Sequence, residues 1–220
     1  MLGVYVAVPI ACFRKGLARE YLETEPLPPP ATCYGFLLSL IGETDRQRHI
    51  GCRVAPGLLS RPARSVVLRT VWRVKKTPLG SPGNTRPDYQ QLLTGIEALI
   101  WLDSSEEPHN QGASLESRVR KSLTEPTKVQ RFGGLSLGES THLVDEVCLF
   151  EDRLASRWGM PTNSVDIFLT ADRGRLTLPI WVDHVGSSGT NYATGDLVAT
   201  PLTPPDMNLM PRIEPKRPVS

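Results

Sequence analysis

In VVLRTVWRVK, residues 66–75, Val66, Leu68, Thr70, Trp72 and Val74 alternate one by one with Val67, Arg69, Val71, Arg73 and Lys75. An extended strand sorts such a pattern onto two faces, because its side chains point to opposite sides with period two. The first set is expected to pack on a core and the second to present cations along one line. At the strand rise Arg73 and Lys75 stand about 7 Å apart, and Arg69 stands about 13 Å from Arg73. The shorter gap is near the phosphate repeat of an extended single strand, and phosphate contact needs only cations and hydrogen-bond donors. The TPLGSPGNTRPDY that follows holds Gly80, Gly83, Asn84 and three prolines, the composition of a long turn.

The charge around this strand is segregated. From Arg46 to Arg86 the chain has ten Lys and Arg residues, Lys76 among them, and no Asp or Glu. The whole chain has 25 basic and 23 acidic residues, a net of +2; without the ten, 15 basic face 23 acidic, or −8. A local positive field attracts polyanions whatever the total charge, although a charge run can equally be a solvated face. Residues 46–90 therefore read as a basic β-hairpin arm.

The remainder fits one domain over residues 1–200, with 201–220 as a proline-rich extended tail that docks on a partner or stays mobile. No apolar run is long enough to span a bilayer, and MLGVYVAVPIACF reads as a strand, not a signal peptide. Cys12, Cys33, Cys52 and Cys148 show no CxxC pairing and no metal-ligand spacing, which suits reduced cysteines in a cytoplasmic protein without a metal or other cofactor. Thr32 is placed to cap an apolar helix that Gly42 ends. Ile96, Ala98, Ile100 and Leu102 form a strand, and Ser114 caps a helix with Leu115, Val119 and Leu123 on one stripe. LVDEVCLF, SVDIFLT and RLTLPIWV are further strands. The order strand, helix, two strands, helix, strand is that of an α+β, ferredoxin-like (RNA-recognition-motif-like) sheet.

Two segments offer more than structure. RFGGLSLGESTH, residues 131–142, lacks the Lys and Ser/Thr of a phosphate-binding P-loop and the GxGxxG spacing, which argues against nucleotide hydrolysis. Its three glycines allow either a tight turn or a backbone that turns its amides to phosphate. The helix start at Ala31, Thr32 and Cys33 offers unpaired amides, as every helix start does. His49, His109, His142 and His184 have no metal spacing. His142 could serve as a general base on RNA with Lys121 or Lys128 and Tyr34, or simply brace the turn.

PLPPPATCYGFLLSLIGE resembles the proline-flanked first helix of the CRISPR-associated Cas-five family, and RFGGLSLGESTHLV resembles its glycine-rich loop, in the right order and at about the expected distance. The resemblance covers residues 2 to about 150. It implies an RNA-recognition-motif-like palm with an inserted hairpin thumb, and a strand-rich C-terminal extension completes the chain. It also implies a subunit of the type I Cascade complex that caps the 5′ handle of CRISPR RNA. Backbone-forming subunits and a large subunit would be its partners, and target DNA would be reached through the assembly, in antiviral defence or RNA-guided transposition. Carried over by motif, Pro30 and Thr32 fall near handle phosphates, and Arg131, Gly133, Gly134, Gly138 and Ser140 fall in the loop that holds the handle. Arg69, Arg73, Lys75 and Lys76 are the expected thumb contacts, from charge and period. One branch of the family cuts CRISPR RNA with a tyrosine, a lysine and a histidine. That set does not align here, so a non-catalytic subunit is expected, with a metal-independent endoribonuclease as the alternative.

Overall fold

A computed structural model describes residues 1–16, 21–72, 78, 80–108, 112–156, 162–183 and 188–216, with the backbone alone at 71 and 72. Among the described residues, nine strands form one sheet: β1 (Leu2–Ala11), β2 (Tyr21–Leu22), β3 (Arg53–Leu58), β4 (Ala63–Trp72), β5 (Thr85–Asp103), β6 (Glu146–Leu149), β7 (Ser164–Thr170), β8 (Leu176–Trp181) and β9 (Asn191–Pro201). Three helices accompany them: α1 (Pro30–Leu40), α2 (Leu115–Thr124) and α3 (Phe150–Ala155). The strand order is β6-β1-β5-β3-β7-β9-β8, every pair along it antiparallel, and β2 adds a short parallel pairing to β5.

The middle strands are apolar on both sides because both sides are covered. Leu2, Val4, Val6 and Val8 of β1, with Ile96, Ala98, Ile100 and Leu102 of β5, pack under α1 and α2. On the reverse face Tyr5, Leu99 and Trp101 pack with Phe150 of α3, Val165 and Ile167 of β7, and Met210. Burial on two faces makes such strands read as near-continuous apolar runs rather than clean alternations. Ser114 caps α2 as its sequence predicts, its side chain accepting from the Ser117 amide at 3.3 Å. At α1 the cap is Pro29, not Thr32. Pro30 takes the first helical position, where its missing N–H costs nothing, and the Thr32 and Cys33 amides donate to the Pro29 carbonyl at 2.9 and 3.0 Å. Two of the three amides expected to be unpaired there, those of Thr32 and Cys33, are already used.

β5 governs the long-range geometry. Its second half pairs with β1 and β3, and its first half runs on to pair with β4 from Thr94–Ala63 out to Thr85–Trp72. The β4–β5 hairpin is thus nine residue steps long, about 30 Å. Three expectations change here. Within the stretch assigned to the arm, residues 53–58 are β3, a central strand. Its Gly57 lies so close to β7 that a Cβ would stand 2.6 Å from Val165 Cγ2, and Pro56–Gly57 imitates a turn in the sequence. The row Val66, Leu68 and Thr70 meets no core: the side chains from Ala63 to Thr70 are all exposed, Leu68 to 61%. The hairpin outruns β1, whose last partner on β5 is Leu93, and from there β4 stays exposed on both faces, while Asp88 and Gln90 of β5 are buried. The tail, finally, docks on its own chain. Pro211 accepts from the Val54 amide, Ile213 exchanges bonds with Gly51 and Cys52, and Ile213 is fully buried.

Candidate nucleic-acid interface

The glycine-rich segment folds into a narrow closed loop. Leu137 donates to the His142 carbonyl at 3.1 Å, Val144 to Leu135 at 3.0 Å and His142 to Glu139 at 2.9 Å, while the Leu137 side chain is buried as an anchor. Gly138 is required at its tip. Its φ is +101°, and a Cβ would stand 2.9 Å from the Cys12 carbonyl oxygen. Gly133 also has a positive φ, +77°, but faces open space, and Gly134 is exposed with only Leu143 Cδ2 nearby, at 3.4 Å from where a Cβ would lie. Arg131 and Ser140 are exposed, and Phe132 is fully so.

His142 braces this loop. Its Nδ1 accepts from the amides of Cys12 and Glu139, both at 3.2 Å, tying the loop to the end of β1. Two donors on one ring nitrogen fix that nitrogen as the acceptor of a neutral imidazole. Burial pushes the ring's pKa below its ordinary value, with Glu139 opposing, so the neutral form is favoured. The turn-bracing role set out for this histidine is the one the geometry occupies.

The hairpin and the loop meet. Arg69 Nη1 donates to the Gln90 side chain and to Glu139 Oε2 at 3.1 Å, and Gln90 Nε2 donates to Glu139 Oε1 at 2.7 Å. Gln90 is buried beneath them. Arg69 thus stands beside the glycine loop, with a carboxylate already against it. Arg73, Lys75 and Lys76 lie outside the described residues, as do His109 and His184.

The helix start and the loop also meet. Thr32 of α1 and Ser136 and Gly138 of the loop line one cleft of about 410 Å³, together with Tyr34, Arg46 and Trp181. Pro30 is buried at the helix start behind it. Of the last three residues, Tyr34 entered the sequence reading only as a candidate partner of His142, and Arg46 and Trp181 went unassigned. Arg46 was counted only within a charge run, and Trp181 belongs to a strand beyond the reach of either motif. The Arg46 guanidinium lies over the Trp181 ring, 4.0 Å from its centroid, and donates to the Val182 carbonyl at 2.5 Å. Tyr34 Oη donates to the Arg46 carbonyl at 2.8 Å, and burial pushes its phenol far above the ordinary range.

Behind α1, a second polar cluster is structural. Glu43 accepts from Arg118 at 2.5 Å and Arg48 at 3.1 Å, and Arg118 also reaches His49 Nε2 at 3.0 Å. The buried His49 meets Glu107 at 2.8 Å, and Glu107 accepts from the Leu115 amide that opens α2. Among the described residues no group of three or more His, Cys, Asp or Glu is placed to hold a metal, and no helix is long and apolar enough to cross a membrane.

The chain as a whole is a large antiparallel sheet flanked by helices. The fold is similar to that of a chain in a CRISPR RNA-guided surveillance complex, with a TM-score of 0.59 over 90% of this chain and 89% of that one at 14% identity. It is also similar to a crystal structure of a Cas protein, with a TM-score of 0.51 over 91% and 94% at 13% identity. No protein-family model matches the chain. Its sequence is 51% identical over 215 residues to the CRISPR-associated protein Cas5 of Myxococcus xanthus strain DK1622, covering 97% of both. The chain belongs to the Cas5 family.

Proposed function

We propose that this chain is a non-catalytic RNA-binding subunit of a type I Cascade complex, in the cytoplasm of a prokaryote, and that it caps the 5′ handle of the CRISPR RNA. The observation that carries the reading is that both motif segments, separated by about a hundred residues, border one cleft: Thr32 on one side, Ser136 and Gly138 on the other. The basic hairpin reaches the same loop through Arg69, six residue steps out from Ala63, and Glu139. The order β6-β1-β5-β3, with α1 and α2 as the crossovers, supports a ferredoxin-like palm, and the long β4–β5 hairpin, exposed along β4, supports a thumb. Leu68 pairs with Tyr89, and Tyr89 with Tyr21, in one exposed row across three strands. A row of that kind favours a protein that works inside an assembly, where backbone-forming and large subunits can bury it.

The test is RNA retention by the assembled complex as a function of salt. Binding through phosphates should give a log–log slope of roughly −0.7 per contact, and a slope near zero would refute the reading. Incubation with repeat RNA in EDTA separates it from the alternative: an intact RNA is expected, whereas cleavage makes the chain a metal-independent endoribonuclease.

A further inference from the structure

Arg46 is the least explained cation of the cleft. Three contacts fix it: the Trp181 ring beneath the guanidinium, the Val182 carbonyl at one nitrogen, and the Tyr34 hydroxyl on its backbone carbonyl. Trp181 is itself 4% exposed and Tyr34 3%, so the platform under the guanidinium is rigid. Among the described residues no carboxylate pairs with Arg46, whereas the neighbouring Arg48 and Arg118 both share Glu43. A guanidinium carries five N–H donors, and one Val182 carbonyl leaves most of them unanswered. A flat cation held at the wall of a cleft of about 410 Å³ that Thr32 and Ser136 also line has the chemistry of a nucleobase seat. Proteins that read single-stranded RNA splay bases out of the stack and lay them on aromatic rings or on arginine planes. Here the aromatic ring is covered, and the arginine presents the stack's outer surface.

We infer that Arg46, pinned on Trp181, receives one unstacked base of the bound RNA, so that this cleft reads a base while the hairpin holds phosphate. The inference rests on the RNA-binding reading above and adds a base-specific subsite built from β8, which neither motif reaches. Backbone contact alone tolerates any sequence, whereas a stacked base makes one nucleotide matter more than its neighbours.

The probe is the RNA that co-purifies with the complex, sequenced and resynthesised with a single abasic nucleotide at each position in turn. With the unmodified chain, one position should stand out, its abasic form binding about ten- to a hundred-fold more weakly. Arg46→Lys keeps the charge and removes the plane. Its salt slope should match the parent's, its affinity for intact RNA should fall to about that of the abasic RNA, and the abasic substitution should then cost nothing further. Thermal unfolding of Arg46→Lys checks that the fold survives; Arg46→Gln, planar but uncharged, should retain the position-specific effect if Arg46→Lys does not fold. Equal losses at every position, or an undiminished position effect in Arg46→Lys, would overturn the base seat while leaving the RNA-binding reading intact. A complex that retains no RNA would overturn both.

Discussion

Two substitutions four residues apart in the glycine loop should fail in different ways. Gly138→Ala forces a Cβ to 2.9 Å from the Cys12 carbonyl and an L-residue to φ +101°. The positive φ alone costs about 1–2 kcal/mol, and crowding against backbone that cannot yield raises the total to roughly 2–3 kcal/mol. For a chain of this size that is a fall in Tm of about 4–12 °C. Gly134→Val has no such penalty: the site is exposed, its φ lies outside the left-handed range, and its nearest neighbour is the flexible end of Leu143. Its stability should stay within about 0.5 kcal/mol of the parent. Its RNA retention should nevertheless drop at low and high salt alike, since a branched side chain there holds the RNA off the loop's amides without changing any charge. The assay pairs thermal unfolding with RNA retention at two salt concentrations. Normal RNA retention by a folded Gly134→Val chain would mean the loop is only a turn, and the central assignment of the RNA site would fall.

Other expectations follow from charge and hydrogen bonding. Arg73→Ala and Lys75→Ala should each weaken RNA binding modestly and flatten the salt slope by about one contact's worth, as parallel titrations would reveal. His142→Ala should leave the length of the bound RNA unchanged in cells while lowering Tm, because the lost group accepts two loop amides; disappearance of mature RNA would install the nuclease reading instead. Glu139→Gln should release Arg69 from its carboxylate and so tighten RNA binding and steepen its salt dependence; weaker binding would show that the pair holds the hairpin in place. Glu43 is held down to about 2, chiefly by its bond to Arg118, so its contribution is present above about pH 4.5 and is lost as pH falls from there towards 2. That is on the order of 3 kcal/mol, and Glu43→Gln should flatten the acid limb of a stability-versus-pH curve.

The sheet's middle was legible because burial writes itself into composition: Val4, Val6 and Val8, and Ile96 through Leu102, could only be inside. β3 was hidden by its own Pro56 and Gly57, which signal a turn locally but serve a close strand approach that only the distant β7 explains. β9 was missed because its burial is partial along most of its length, leaving no clean alternation. The period of β4 was read correctly, but its consequence was not: alternation sorts side chains onto faces without saying that anything covers them. At the candidate site, motif and charge singled out the loop, the helix start and Arg69, which the fold brings near one another. They could not find the Arg46–Trp181 stack, whose two members are 135 residues apart and join only through the path of β8 beside α1.

The pairing of Arg69 with Glu139 bears on how the two halves of the interface divide their work. A cation already neutralised at 3.1 Å contributes to phosphate binding only to the extent that phosphate displaces the carboxylate, and Gln90 beneath both holds that carboxylate in place. The gain at Arg69 is therefore a difference between two charge pairs, smaller than that of a free arginine in the same position. What the pair supplies instead is register: it ties β4, six residue steps out from Ala63 along a hairpin of about 30 Å, to the glycine-rich loop. The pair Leu68–Tyr89, one step nearer the hairpin's base, is exposed, so the tie to Glu139 holds the hairpin well out along its length rather than at its base. In the proposed interface the cleft, its loop and the hairpin out to Arg69 are thus held together as one unit.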